Sequence, residues 1–332
     1  MLQFFVGKLG QYLLVLWIAV TLNFALPRLM PGNPLALLAG EEVNLLTPQQ
    51  RAQLMASVGL DQPLPVQYWR YLQNLARGDF GYSFQKNKPI TTILADRLPW
   101  TLLLTGTSLI ISTIIGVTLG ALAAWKRGGR GDVGLLGVFV FLESLPAFWV
   151  GMLLVAFFAV LFPIFPTFGA VTPWETKQGM ELVQDILRHL VLPLSTLTIV
   201  SVSGTFLVAR YSMLAVLGED FITVARAKGL REREILFRHA IRNALLPVAT
   251  VFTLNLAFAF GGATVVETVF SYPGVGRLIF EAVLARDYPV LQAAFLMITV
   301  MVVVANILAD AIYPFLDPRV RHAQERAGGS AR

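Results

Sequence analysis

The chain has 332 residues, 56% of them hydrophobic and 14% charged, with a net charge of +6. Soluble domains carry about 25% charged residues, so a water-soluble chain this apolar could not cover its own core, and the composition describes an integral membrane protein. With no cysteine, disulfides, thiol catalysis and cysteine-ligated metals are excluded; His189, His239 and His322 stand far apart, and no Gly-x4-Gly-Lys-Ser/Thr loop offers nucleotide hydrolysis by that route.

A helix needs roughly 20 mainly apolar residues to cross the hydrocarbon core. Six runs qualify: Leu9–Leu26, Thr101–Trp125, Ser144–Phe165, Leu190–Ala209, Leu245–Val266 and Pro289–Ala309. Only helices or closed barrels satisfy their backbone in lipid, and no ten-residue alternating segments of a barrel are present, so all six read as α-helical. The first is long, follows only Lys8 and lacks a small-residue cleavage pattern, so it reads as a retained helix rather than a signal peptide. The apolar stretch from Val133 is placed to extend the third run backwards, and Pro146 to kink it. With the N-terminus inside, the cytoplasmic segments carry fifteen Lys and Arg and the two short outer loops four. That bias puts both termini in the cytoplasm.

This yields a division into a first membrane helix (1–26), an outer arm (27–98), a five-helix core (99–314) and a cytoplasmic tail (315–332). Seven prolines punctuate the arm. Within it Thr47–Gly59 predicts a short helix with Thr47 as N-cap, Pro48 first and Gly59 at its end, and Val66–Leu75 predicts an amphipathic one. The arm has too few apolar residues for its own core.

Between the fourth and fifth runs lies a basic cytoplasmic segment, about 211–246, containing "ARAKGLREREILFRHAIRNALLP" (Ala225–Pro247). Asp220 is an N-cap candidate, Phe221, Val224 and Ala225 share one helix face, and Gly229 ends that helix. A second helix from Leu230 has Leu236, Ala240 and Ala244 in one row and Phe237, Ile241 and Leu245 in the next. Glu234 stands four residues before Arg238 in the favourable order, and Pro247 opens the next span. Helix, bend and helix suit two uses: lying on anionic lipid, or docking into a groove of a soluble partner. Periodicity does not separate them.

Among ionisable residues, Glu143 lies about ten residues into the apolar stretch from Val133. An acid at membrane depth is costly and therefore a candidate for function. Asn255 and Glu267 lie in or at the end of the fifth run and complete the pathway candidates, Glu267 reading more as an outer-edge residue. Asp310 and Asp317 flank the end of the sixth and are placed to tether the tail. "SYPGVG" (Ser271–Gly276) has turn chemistry.

The basic segment resembles the coupling loop of ABC importer permeases of the dipeptide/oligopeptide/nickel branch. "GDFGYSF" (Gly78–Phe84), "DRLPWTLLL" (Asp96–Leu104), "ETVFSYPGVGRLIFEAVLARDYPVLQ" (Glu267–Gln292) and "ANILADAIYPFLDPRVR" (Ala305–Arg321) are similar to further parts of that family, in its order along the chain. Two positions depart from the family's general EAA pattern: Thr223 stands where an acid is usual, and Arg242 where a proline is. The resemblance implies a type I permease fold of six transmembrane helices, all-α, with a small outer arm after the first. It implies a second homologous permease, two ATPase subunits that hold ATP and Mg, and an extracytoplasmic binding protein. Membrane lipid is a further partner; no cofactor bound by this chain, no catalytic residue and no nucleic acid are implied. Gly229 is then the bend, Ala225, Ala227 and Leu230 groove contacts, and Arg226, Lys228, Arg231 and Arg233 a charged rim whose plainer role is anchoring to the cytoplasmic face. By the same resemblance the SYPGVG loop dips towards the pathway or touches the binding protein; otherwise it is a re-entrant turn. Rival classes lack their marks: no inverted repeats of a secondary transporter and no filter loop of a channel. A scaffold without transport is separated from these only by an uptake measurement.

Overall fold

The computed structural model describes residues 2–29, 47–58, 60–259 and 263–316. Asp317, almost all of the predicted tail and arm residues 30–46 lie outside these. Helix α1 is Leu2–Leu29. The arm contributes α2 (Pro48–Val58), α3 (Leu64–Ala76) and a two-residue hairpin, β1 (Tyr82–Ser83) with β2 (Lys88–Pro89), Tyr82 opposite Pro89. Then come α4 (Ile90–Trp125), α5 (Arg130–Glu143), α6 (Ala147–Val155, continued by a π turn Ala156–Leu161) and α7 (Gly179–Leu217). The basic segment holds α8 (Asp220–Ala227) and α9 (Glu232–Glu234), which runs through a π turn (Ile235–Ala240) into α10 (Ile241–Ala259). The chain ends with α11 (Thr264–Val269), α12 (Val275–Leu284) and α13 (Tyr288–Leu316).

Five helices are long and apolar enough to cross a membrane, and the α5–α6 pair makes a sixth crossing bent by 97°. The predicted third span is therefore a corner rather than a rod. Ser144 and Leu145 close the end of α5 on Phe141 and Leu142, and Pro146, which has no N–H to donate, starts α6. The residue before a proline is pushed out of the helical region, which fixes the break. Helices α4 and α7, of 36 and 39 residues, are about 54–58 Å long, so each extends well beyond the apolar run that predicted it. Pro247 lies inside a continuous helix and does not open the fifth span.

The α4–α7 pair is the axis of the fold. Gly116 and Gly120, one turn apart on α4, lie against Thr205, Phe206, Ala209 and Arg210 of α7 so closely that a methyl on Gly120 would sit 2.6 Å from the Phe206 carbonyl oxygen. Small residues four apart let helix backbones approach where lipid supplies no hydrophobic drive. Around this axis the buried side chains form layers. Phe139 of α5 stacks on Phe206 with ring centroids 4.3 Å apart. At one end Ala124 and Met213 meet the basic segment. At the other end Ile90, Ile93 and Leu94 pack on α12 and α13. Asp132 and Arg210, both buried, join α5 to α7: Nε donates to Oδ1 at 2.7 Å and Nη2 to Oδ2 at 3.0 Å, with the Gly128 N–H also on Oδ2.

Helix α1 stands at the periphery and is tied to α13 at both ends. Asn23 and Gln292 exchange amide–backbone hydrogen bonds at one end; Tyr12 and Lys8 both reach Asp310 at the other. Asp310 thus holds α1; the tail expected to be tethered by it lies outside the described residues. Thr47 and Gln50 form a reciprocal capping box at α2. Helix α3 leans on α1 through Tyr68 and Tyr71 against Phe24. There the Arg28 guanidinium covers the Phe24 ring and forks onto Gln67.

Candidate functional site

Three places gather the residues singled out above. The first is the elbow formed by the basic segment. Helix α8 starts at Asp220 with Glu219 in the N-cap position and no side-chain cap bond, one residue earlier than expected. Its end is a Schellman turn: Leu230 N–H donates to Ala225 O, Gly229 N–H to Arg226 O, and Gly229 adopts φ +76°. Nothing crowds Gly229, so the glycine is required by that backbone angle alone. Ile222 and Ala225 face inward with Ile235, Leu236, Ala240 and Ala244, packed on Ala124 and Met213. The elbow is thereby rooted on the adjoining ends of α4, α7 and α10.

The outward face differs from the predicted one. Ala225 is buried and Leu230 half-buried, so neither offers a free groove contact, whereas Ala227 is exposed. Arg226, Lys228, Arg231 and Arg233 are all exposed. Phe221 at 41%, Val224 at 50% and Phe237 at 67% exposure supply the apolar part of that face. A two-turn helix that is apolar on both sides (Phe221, Ile222, Val224, Ala225) carried the signal, but periodicity left open which pair turns inward. The Glu234–Arg238 pair forms at 3.4 Å and Arg226 meets Glu232 at 3.2 Å; exposed pairs like these contribute about 0–1 kcal/mol each.

The second place is a cavity of about 400 Å³ between α4, α5, α7 and α10. Its polar lining is Thr105 and Ser108 from α4, Glu143 from α5, Ser201 from α7 and Asn255 from α10. All five come from helices that belong to candidate membrane spans, and they face one space. Glu143 sits beside Gly204.

The third pathway candidate, Glu267, is elsewhere. It is fully buried, and its carboxylate accepts from Thr101 Oγ1 at 2.8 Å and from the Arg277 backbone N–H at 2.9 Å. Thr101 Oγ1 in turn accepts from Val275 N–H. Helix α12 has Gly274 in its N-cap position and so lacks a capping side chain of its own; Glu267 and Thr101 supply the acceptors from two other helices. A side chain on Gly274 would overlap the Glu267 carboxylate, and one on Gly276 would strike Thr264. Tyr272, also fully buried, meets Trp100 edge-on at 5.9 Å. SYPGVG is thus a buried re-entrant turn, and Glu267 is its cap. Glu267→Gln, which keeps the shape but replaces one acceptor oxygen by an amide donor, is expected to lower stability by about 2 kcal/mol, read as a reduced thermal unfolding temperature in detergent. An unchanged temperature would exclude the capping role.

A family described as "Binding-protein-dependent transport system inner membrane component" matches residues 116–322, and its N-terminal companion matches residues 1–105. The dipeptide transport system permease protein DppB of Escherichia coli (strain K12) is 36% identical, over 97% of this chain and 99% of its own length. The di/tripeptide permease DppB of Pseudomonas aeruginosa is 35% identical over the same shares. The oligopeptide permease AppB of Bacillus subtilis is 36% identical over 91% of this chain and 93% of its own. Among solved structures, an inward-facing form of the MetNI methionine ABC transporter superposes with a TM-score of 0.55 at 16% identity, covering 68% of this chain and 96% of that one. That likeness concerns the fold of the helical core.

Proposed function

This chain belongs to the family of binding-protein-dependent transport system inner membrane components, the permeases of ABC importers, and from that membership we propose that it carries di- or oligopeptides into the cytoplasm. Two ATPase subunits, holding ATP and Mg, dock on its elbow. A second, homologous permease completes the pathway, and an extracytoplasmic binding protein delivers cargo. Both termini are cytoplasmic, in line with the distribution of Lys and Arg. The three curated relatives, all named as peptide permeases, support the cargo class.

The observation that carries the coupling role is the elbow's two-sidedness. One side is rooted in the helix ends by Ile222, Ala225, Ile235 and Leu236. The other presents Phe221, Val224 and Phe237 within a cationic rim. A push on the outer side therefore reaches α4, α7 and α10 through packed side chains, and interiors packed at crystal-like density transmit displacement. Closure of the ATPases on ATP moves the elbow, and the helices lining the Glu143–Asn255 cavity move with it, opening the cavity to one side at a time. A peptide's polar backbone is not left in lipid on the way.

The test is co-purification of the detergent-solubilised chain with its co-expressed ATPase subunits. Gly229→Pro, which cannot adopt φ +76°, and the pair Arg226→Glu and Lys228→Glu are each expected to reduce recovered ATPase at least about tenfold. Retention of ATPase at the wild-type level in both variants would refute coupling through the elbow and leave it as a lipid-surface helix.

A further inference from the structure

Every other carboxylate buried or bridged within the membrane core has a visible partner. Asp132 is paired with Arg210, and Glu267 caps α12. Glu143 differs. It faces the cavity at membrane depth, it is exposed to that space, and among the described residues no Lys or Arg comes within ion-pairing distance of it. It is also the only charged residue among the described lining of the cavity. A lone carboxylate at such depth is expensive unless a cation comes to it. The remaining polar lining is of another kind: hydroxyls of Thr105, Ser108 and Ser201 and the amide of Asn255, which both donate and accept hydrogen bonds.

We propose that Glu143 is the charge-selecting contact for cargo in transit: it receives an ammonium or guanidinium group while the hydroxyl and amide groups across the cavity receive the peptide backbone. This deepens the reading of the chain as a peptide permease and rests on it. The cargo class that follows is peptides with a free amino terminus, with those bearing a basic side chain favoured and acidic ones disfavoured. Selection operates by sign. The cavity is walled by apolar helices, and a low-dielectric wall focuses the field of a charge within it, so a like-charged side chain meets repulsion where a basic one meets attraction.

The experiment uses the assembled transporter, with its partner permease, ATPases and binding protein, in proteoliposomes. Uptake of radiolabelled Lys-Ala, Ala-Ala and Glu-Ala is measured at saturating binding protein. Because the binding protein is common to all variants, its own preference cancels in the comparison. Glu143→Gln is expected to lower the Lys-Ala to Glu-Ala rate ratio about tenfold, Glu143→Lys to invert it, and Glu143→Asp to keep it near wild type. Equal ratios in all four proteins, with uptake intact, would overturn the proposal and leave peptide transport standing. Loss of the partner permease from Glu143→Gln, with recovery in Glu143→Asp, would also overturn it, by assigning the carboxylate to the subunit contact. A wild-type assembly that takes up none of the three peptides would sink the peptide reading and this inference together.

Discussion

Gly120→Leu is expected to cost at least about 3 kcal/mol and to yield little monodisperse protein on detergent extraction. The reason is backbone, not side chain. A Cβ at this position meets the Phe206 carbonyl oxygen at 2.6 Å and the Arg210 nitrogen at 3.0 Å, and neither moves unless α7 moves. One turn away, Gly116 is equally close to Thr205. Separating the two helices would also unstack Phe139 from Phe206, so three crossings lose contact together. Gly10→Leu is the control, since Gly10 has open space around it and is expected to be near neutral. Size-exclusion profiles and thermal unfolding of the two variants decide the matter: if Gly120→Leu behaves like Gly10→Leu, the close approach of α4 and α7 is not what holds the core.

The second large effect is at the start of α5. Asp132→Ala leaves the Arg210 guanidinium buried with no counter-charge, and breaking a buried pair in this way costs about 3–5 kcal/mol. The carboxylate also holds the Gly128 N–H, so the turn between α4 and α5 loosens with it. Replacing both partners by apolar residues of similar size, Asp132→Leu with Arg210→Met, is expected to restore most of the stability, because the desolvation of both charges is removed with their attraction. Unfolding by graded sodium dodecyl sulfate compares the three proteins. Equal stability of wild type and Asp132→Ala would show that water reaches Arg210 and that the pair is not a structural tie.

Much of this was legible along the chain, for identifiable reasons. Apolar runs report spans directly because lipid leaves the backbone no other solution, and the Gly229 bend was legible because only glycine is at ease at positive φ. The break at Ser144–Pro146 was half legible: the proline was visible, the 97° angle was not, since it is set by what α5 and α6 each pack against. Glu267 was legible as an odd acid but not as a cap, because the helix it serves begins eight residues later and its second support, Thr101, is 166 residues away. Of the three expected groove contacts on the elbow only Ala227 is exposed; Phe221, Val224 and Phe237 take the outward face, because Met213 and Ala124 draw Ile222 and Ala225 inward.

The corner in the sixth crossing has a mechanical consequence. A straight helix is a stiff strut and passes a tilt from one membrane face to the other. Here the two arms are clamped to different bodies: α5 to the inner half of α7 through Phe139, Val202 and Phe206, and α6 to the re-entrant turn, with Gly151 against the Phe270 ring. Between them stand only the few residues from Ser144 to Pro146. At this break the helix ladder is interrupted, because Pro146 has no N–H to donate, so a tilt of one arm is not carried rigidly into the other. Glu143 is the last residue of α5. Its carboxylate rides at the joint itself, where a small rotation changes the direction it faces more than its position in the bilayer.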